Sequence, residues 1–290
     1  MLRCVGLFGI GWFFLHLLFC QIGDCGMKFL GKQLHPIQII FLRFFFATIW
    51  LLPLAYKKKM ELRTSRPGVH LLRSCLLCAA MLLWCLGLQE ATLPMASIIE
   101  FSNPLILLFL AKFFLGERIT RGKLLVTLIG FLGIVIVAEP TARSFNAAII
   151  PLFSSVLLFA SADIVNKKFA GNESMLATLF YAALEIALFM GIPTIFLWRA
   201  MSFELWIAAA IIGASANLLF FCIIRCFRLV DASTTAPWRY FEFVLSVGSG
   251  YFFFGEKPSI STLVGAAIII PTTLFLTCGK FRPSKRCCHG

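Results

Sequence analysis

Ten stretches of this chain are each long and apolar enough to cross a bilayer's hydrocarbon core, which takes roughly 20 mostly apolar residues in a helix. They are 5–27, 36–56, 70–89, 92–114, 122–138, 148–167, 174–198, 204–224, 231–254 and 260–279. The longest polar stretch between them runs only from Lys57 to about Pro67, too short for a soluble domain. Charged residues make up 13% of the 290, and hydrophobic ones 60%. A soluble domain is usually about 25% charged. Too little polar surface exists to face water all round, so the chain is expected to be an all-α integral membrane protein with the lipid bilayer as its main partner. The first stretch does not fit a cleaved signal, because its apolar run is too long and no small-x-small site follows it.

The net charge of +13 suggests nucleic acid at first sight, but its distribution opposes that. With the N-terminus inside, 18 Lys and Arg residues fall in the inner loops or at the inner span ends and five on the outer side. That bias is the positive-inside rule, and it predicts two cytoplasmic termini. Basicity here encodes orientation, and no nucleic acid partner is expected.

The two halves repeat. The fourth span ends Phe113-Phe114-Leu115-Gly116-Glu117, and the ninth ends Phe252-Phe253-Phe254-Gly255-Glu256. The first ends Lys28-Phe29-Leu30-Gly31, and the sixth ends Lys168-Phe169-Ala170-Gly171. The second and seventh close at Pro53 and Pro193. Five spans per half is an odd number, so the second half starts from the opposite side of the membrane. The expected fold is therefore ten transmembrane helices as two inverted five-helix repeats, 1–140 and 148–280, with a basic cytoplasmic tail at 281–290. Inverted repeats are typical of secondary transporters, whose substrate site lies near the midplane between the halves.

Ten spans, the paired repeat and the two Gly-Glu span ends resemble the EamA-type drug/metabolite transporters. A closer likeness lies in Asp163-Ile-Val-Asn166-Lys167-Lys168-Phe169, Leu229-Val-Asp231-Ala-Ser-Thr-Thr-Ala-Pro237-Trp-Arg239-Tyr240 and Gly265-Ala-Ala-Ile-Ile-Ile-Pro271. Together with Leu42-Arg43-Phe44-Phe45-Phe46, these resemble the S-adenosylmethionine/S-adenosylhomocysteine transporters of obligate intracellular bacteria. The stretch from Ala91 to Pro104 matches more loosely. The resemblance implies import of S-adenosylmethionine across a bacterial inner membrane, in exchange for S-adenosylhomocysteine.

A charged side chain at the bilayer centre costs roughly 2.5–3.5 kcal/mol on insertion scales. The Gly-Glu ends set an offset of 139 residues between the halves, under which Glu100 maps onto Arg239 and Asn103 onto Glu242. Such an acid and base at matching depth suit a zwitterion. Arg239 is the candidate for a carboxylate, and Glu100 for an ammonium, with Glu242 as the fallback acid. A structural Glu100–Arg239 ion pair is the competing reading. Pro104 and Pro237 flank these positions and predict kinks.

Asp24 and Lys28 are four apart near the end of span 1, as are Asp163 and Lys167 near the end of span 6. Each pair shares a helix face, with Asn166 one turn from Asp163; near span ends such a pair is more often interfacial, and the competing reading is a gate or ligand contact. Arg43 sits mid-span and needs a partner such as Glu185, Asp24 or the substrate. Asn217 lies on a small-residue face that usually signals close packing. Trp84, Trp238 and Tyr240 are candidate platforms for an adenine or a cation, with ordinary packing as the alternative.

The chain contains no Gly-Lys-Ser phosphate loop, no His-Glu-x-x-His and no Gly-x-Ser-x-Gly. No enzymatic activity and no cofactor are expected. Cys75-x-x-Cys78 has no partner histidine nearby and reads as packing, and Cys287-Cys288-His289 in the tail is a weak pattern, so no metal site is expected. Other EamA-type cargo (an amino acid, a nucleotide sugar or a cationic drug) is the alternative within the class. A membrane-embedded enzyme or scaffold is the competing class.

Overall fold

The computed structural model describes residues 2–64, 66–90, 99–100, 102–117, 119, 121–138, 149–169, 173–235, 238–239 and 241–254. Among them every regular element is helical. The long helices are α1 (Leu2–Leu30), α2 (Pro36–Lys57), α3 (Pro67–Glu90), α4 (Asn103–Leu115), α5 (Arg121–Ala138), α6 (Ile149–Phe169), α7 (Met175–Phe196), α8 (Phe203–Leu229) and α9 (Phe241–Phe254). A 3-10 turn, Lys59–Leu62, follows α2, and a single helical turn, Ala232–Thr235, precedes α9. Six helical stretches among the described residues are long and apolar enough to cross a membrane: Phe8–Leu30, Pro36–Lys57, Pro67–Gly87, Ile149–Phe169, Met175–Phe196 and Phe203–Leu229. The expected span 260–279 and the tail lie outside the described residues, as do Gly171, Gly255 and Glu256.

Local chemistry sets the helix ends. Pro36 opens α2, where a missing N–H costs nothing, and the His35 ring accepts from the Ile37 N–H at 3.3 Å. The Ser174 hydroxyl caps α7 by accepting from the Ala177 N–H at 2.9 Å. Helix α4 stops at Gly116, whose φ of 64° is left-handed backbone that glycine adopts without a Cβ clash. Next to it, Glu117 Oε1 accepts from the Ala232 N–H at 3.1 Å, so its carboxylate caps the helical turn in the other half.

Two expected spans are broken. The span 92–114 is not one helix: the chain turns at Ser102 and α4 starts at Asn103, with Pro104 in its first turn. There Pro104 needs no N–H, because the first turn of a helix leaves its N–H groups unpaired, so it begins a helix where an interior proline would kink one. The span 231–254 is likewise split into the turn Ala232–Thr235, a 3-10 step at Trp238–Arg239 and α9. Under the 139-residue offset, the starts of α4 and α9 fall within one residue of each other.

The halves interleave. Helix α1 packs along α8, α3 along α6, and α2 against both α7 and α8. Small residues let the backbones approach: a Cβ on Gly213 would sit 2.5 Å from the Cβ of Phe46 and 2.9 Å from the Ala47 nitrogen. Asn217 Nδ2 donates to the Ala47 carbonyl at 2.8 Å, which makes Asn217 part of the α2–α8 packing. Ile10, Phe13, Leu17, Ile223 and Phe227 fill the α1–α8 core. Large apolar side chains such as Phe113, Ile192, Phe196 and Phe252 stand exposed on the outside, the surface that lipid would cover.

Candidate functional site

Several charged residues within the spans gather from four elements. Asp24 on α1, Arg43 on α2, Glu100 just before α4 and Glu242 at the start of α9 lie near enough for their charges to act on one another, and Arg239 joins them. Helix α1 contributes a stripe at four-residue spacing. His16 Nδ1 lies 2.9 Å from the Leu219 carbonyl, Cys20 Sγ lies 3.6 Å from His16 Nε2, and Asp24 follows one turn on. Gln21 Nε2 donates to Ser249 Oγ of α9 at 2.6 Å. The layer sits where the fourth and ninth spans break. Irregular backbone at membrane depth is tolerated where it is buried in protein or lines a cavity.

The Glu100–Arg239 ion pair, the competing reading of these two residues, is not formed among the described residues. Arg239 Nη2 instead donates to Asp163 Oδ2 at 2.8 Å, with both side chains largely buried. The physical reason is local: the backbone breaks at Trp238–Arg239, and this directs Arg239 toward α6. Its Nε is buried without a hydrogen-bond partner among the described residues, so one edge of the guanidinium fork is engaged and another is open. Asp163 in turn is not paired with Lys167. The Lys167 ammonium reaches the Phe227 and Val230 carbonyls at the end of α8, where unsatisfied carbonyls gather.

Asn103 and Glu242, the second matched pair, are both buried, and Asn103 Oδ1 has no partner among the described residues. Arg43 is 3% exposed and its Nη1 lies 3.2 Å from Met27 Sδ. Of its two expected acids, Asp24 is the one within reach, whereas Glu185 lies toward Arg73. Asn166 does not join the layer. It accepts from Arg73 Nη1 at 3.5 Å, because the turn separating it from Asp163 carries it to the α3 face.

Trp238 is 3% exposed and packs edge-to-face on Phe14 at 5.3 Å, within the α1–α8 core. It therefore serves packing here, while Trp84 on α3 is half-buried. Tyr240 lies outside the described residues.

Sequence reasoning missed a second polar cluster at the other ends of these helices. Arg73 donates to the Thr178 carbonyl, His70 Nε2 lies 3.5 Å from Glu173 Oε2, and Arg228 Nη2 donates to the Glu173 carbonyl at 3.2 Å. Tyr181 donates to the Leu62 carbonyl at 3.1 Å. All of these but the Arg228–Glu173 contact tie the first half to the second, beside a cavity of about 10 Å³, room for one water. The signal for it was His70 and Arg73, one turn apart in an apolar span. The signal for the α1 stripe was His16, Cys20 and Asp24 at four-residue spacing.

The EamA-like transporter family profile matches this chain twice, over residues 7–138 and 146–278. A protein of Rickettsia conorii described as an S-adenosylmethionine uptake transporter is 44% identical over 96% of this chain and 95% of its own length. One of Rickettsia bellii with the same description is 45% identical over 92% of both chains. A solved crystal structure superposes with a TM-score of 0.77 at 16% identity, covering 96% of each chain, which speaks to the fold alone. With both halves matched, this chain belongs to the EamA-like transporter family.

Proposed function

We propose that this protein is a secondary transporter that imports S-adenosylmethionine, in exchange for S-adenosylhomocysteine, by alternating access across a bacterial inner membrane. The observation that carries this reading is the charged layer. Asp24, Glu100, Asp163 and Glu242 face Arg43 and Arg239, a formal excess of acid suited to a cargo with one net positive charge. The Rickettsia relatives' description agrees with it. S-adenosylmethionine and S-adenosylhomocysteine share adenine, ribose and amino acid, and differ by one methyl and one charge, so one site serves both.

Within that layer Arg239 takes the cargo's carboxylate on its open edge, and Glu100 and Glu242 take the ammonium. Asn103 adds a polar contact at the break. Trp84 is the better platform for the adenine, with Tyr240 beside Arg239 in sequence. Asp163 holds Arg239 in place, and Asn166 belongs to the Arg73 cluster at the other ends of the helices.

Two inverted five-helix repeats, 1–140 and 148–280, would frame the site, with both termini cytoplasmic. The packing supports this arrangement. Exchanging α1 with α6, α2 with α7, α3 with α8 and α4 with α9 converts the contact α1–α8 into α6–α3, α4–α6 into α9–α1 and α3–α7 into α8–α2. All of these contacts occur, as a pseudo-twofold relation requires. Uptake of radiolabelled S-adenosylmethionine into proteoliposomes tests the function. Internal S-adenosylhomocysteine should accelerate it, and no uptake under either condition would reject the reading.

A further inference from the structure

Asp24 differs from the other acids of the layer. Asp163 is tied to Arg239, and Glu242 is buried. Asp24 is exposed, yet it stands within electrostatic reach of Arg43, Glu100, Glu242 and Cys85, which come from four other segments. A carboxylate that is accessible and has these groups of four other segments around it is free to meet a ligand that enters among the helices. No hydrogen bond or ion pair joins it to a described residue. Beside it the guanidinium of Arg43 lies flat against the α1 backbone, where a Cβ on Gly23 would fall 3.0 Å from Nη2. Arg43 Nε is buried without a partner among the described residues, and its Nη1 meets only a thioether. Arg43 thus offsets the Asp24 charge from behind without closing an ion pair over it.

We infer that Asp24 is the specificity-determining residue for a sulfonium cation, the group that separates the methylated cargo from its demethylated product. The inference rests on the cargo reading above. An α-ammonium has three N–H donors and calls for several acceptors, as Glu100, Glu242 and the carbonyls freed at the helix breaks provide. A sulfonium has no donor at all. Only charge and soft contact can read it, and Asp24 supplies an open carboxylate with Cys20 one turn away on the same helix face and Met27 nearby. The shared amino acid end then binds at Arg239 and the glutamates, and Asp24 discriminates.

The test is equilibrium binding of S-adenosylmethionine and S-adenosylhomocysteine to the purified full-length protein in nanodiscs. In Asp24→Asn, the ratio of the two Kd values should shift about tenfold toward S-adenosylhomocysteine, the scale of one charge contact in a partly wet cavity. Asp24→Glu, which keeps the charge, should retain most of the wild-type ratio. Equal weakening of both ligands in Asp24→Asn would overturn the inference, since Asp24 would then serve the shared amino acid end. An unchanged pair of Kd values would overturn it too. A wild-type protein that binds neither ligand would reject the cargo reading and this inference together, an outcome distinct from a lost selectivity.

Discussion

Arg239 and Asp163 are joined at 2.8 Å, and the Nε of the same guanidinium is buried with no partner among the described residues. The pair fixes the arginine to α6 and leaves a second hydrogen-bonding edge unused. A structural ion pair alone gives no reason for that edge. A carboxylate-binding arginine does, because its fork can hold an internal acid and a ligand at once.

Arg239→Lys should therefore fold but transport poorly, since an ammonium cannot serve both partners in that geometry. Losing a charge-assisted hydrogen bond costs about 1.5–3 kcal/mol, roughly 10- to 100-fold in rate or affinity. The measurement is uptake normalised to folded protein in the bilayer. Wild-type uptake in Arg239→Lys would move the carboxylate site elsewhere, with Arg43 the next candidate.

The two tryptophans should separate stability from recognition. Trp238→Ala empties a site in the α1–α8 core and should cost about 3–5 kcal/mol, read as a lower melting temperature. Trp84→Ala should leave melting nearly unchanged and raise KM about tenfold, within the roughly 1–3 kcal/mol of one stacking contact. The reverse pattern would return Trp238 to the binding surface.

Gly213→Ala should destabilise the protein by about 1–3 kcal/mol, because the added Cβ meets the Phe46 Cβ and the α2 backbone and the helices must part. Gly11→Ala is the control, since no heavy atom lies within 4 Å of its Cβ position. Equal melting temperatures for the two variants would deny the close α2–α8 approach.

Arg73→Ala should loosen the end of the bundle that it ties through Thr178 and Asn166. Cys226, buried on α8 near that end, then becomes a reporter. In a background keeping only Cys226, maleimide labelling should speed up several-fold. An unchanged labelling rate would mean that Arg73 does not hold this end closed.

Reporter fusions after Gly290 and near Arg143 should land on opposite sides of the membrane, the first of them in the cytoplasm. A shared side would break the proposed topology.

Much of this was legible in the residues. Apolar runs predicted where α1, α2, α3, α6, α7 and α8 lie, because a bilayer admits only helices with internally paired backbones. The Gly-Glu end of α4 was visible too, and its reason emerged in Gly116, which needs left-handed backbone, and Glu117, which caps a turn in the other half. Offset arithmetic matched Glu100 with Arg239 and Asn103 with Glu242, and Glu100, Arg239 and Glu242 do lie within electrostatic reach of one another.

Partner choice was not legible. Depth along a helix follows from counting residues, but which neighbour a side chain meets depends on helix rotation and on where the backbone breaks. The break at Trp238–Arg239 sends Arg239 to Asp163 and buries Trp238 against Phe14. Rotation about α6 turns Asn166 toward Arg73 and away from the layer. Asp24 shows the same division: the sequence marked it as an ionisable residue within a span, and only the assembled helices left it exposed, without an ion pair among the described residues and beside Arg43. Hydrophobicity and charge are local properties that a one-dimensional pattern carries. Contacts among five separate segments are decided only when packing fixes every helix's rotation at once.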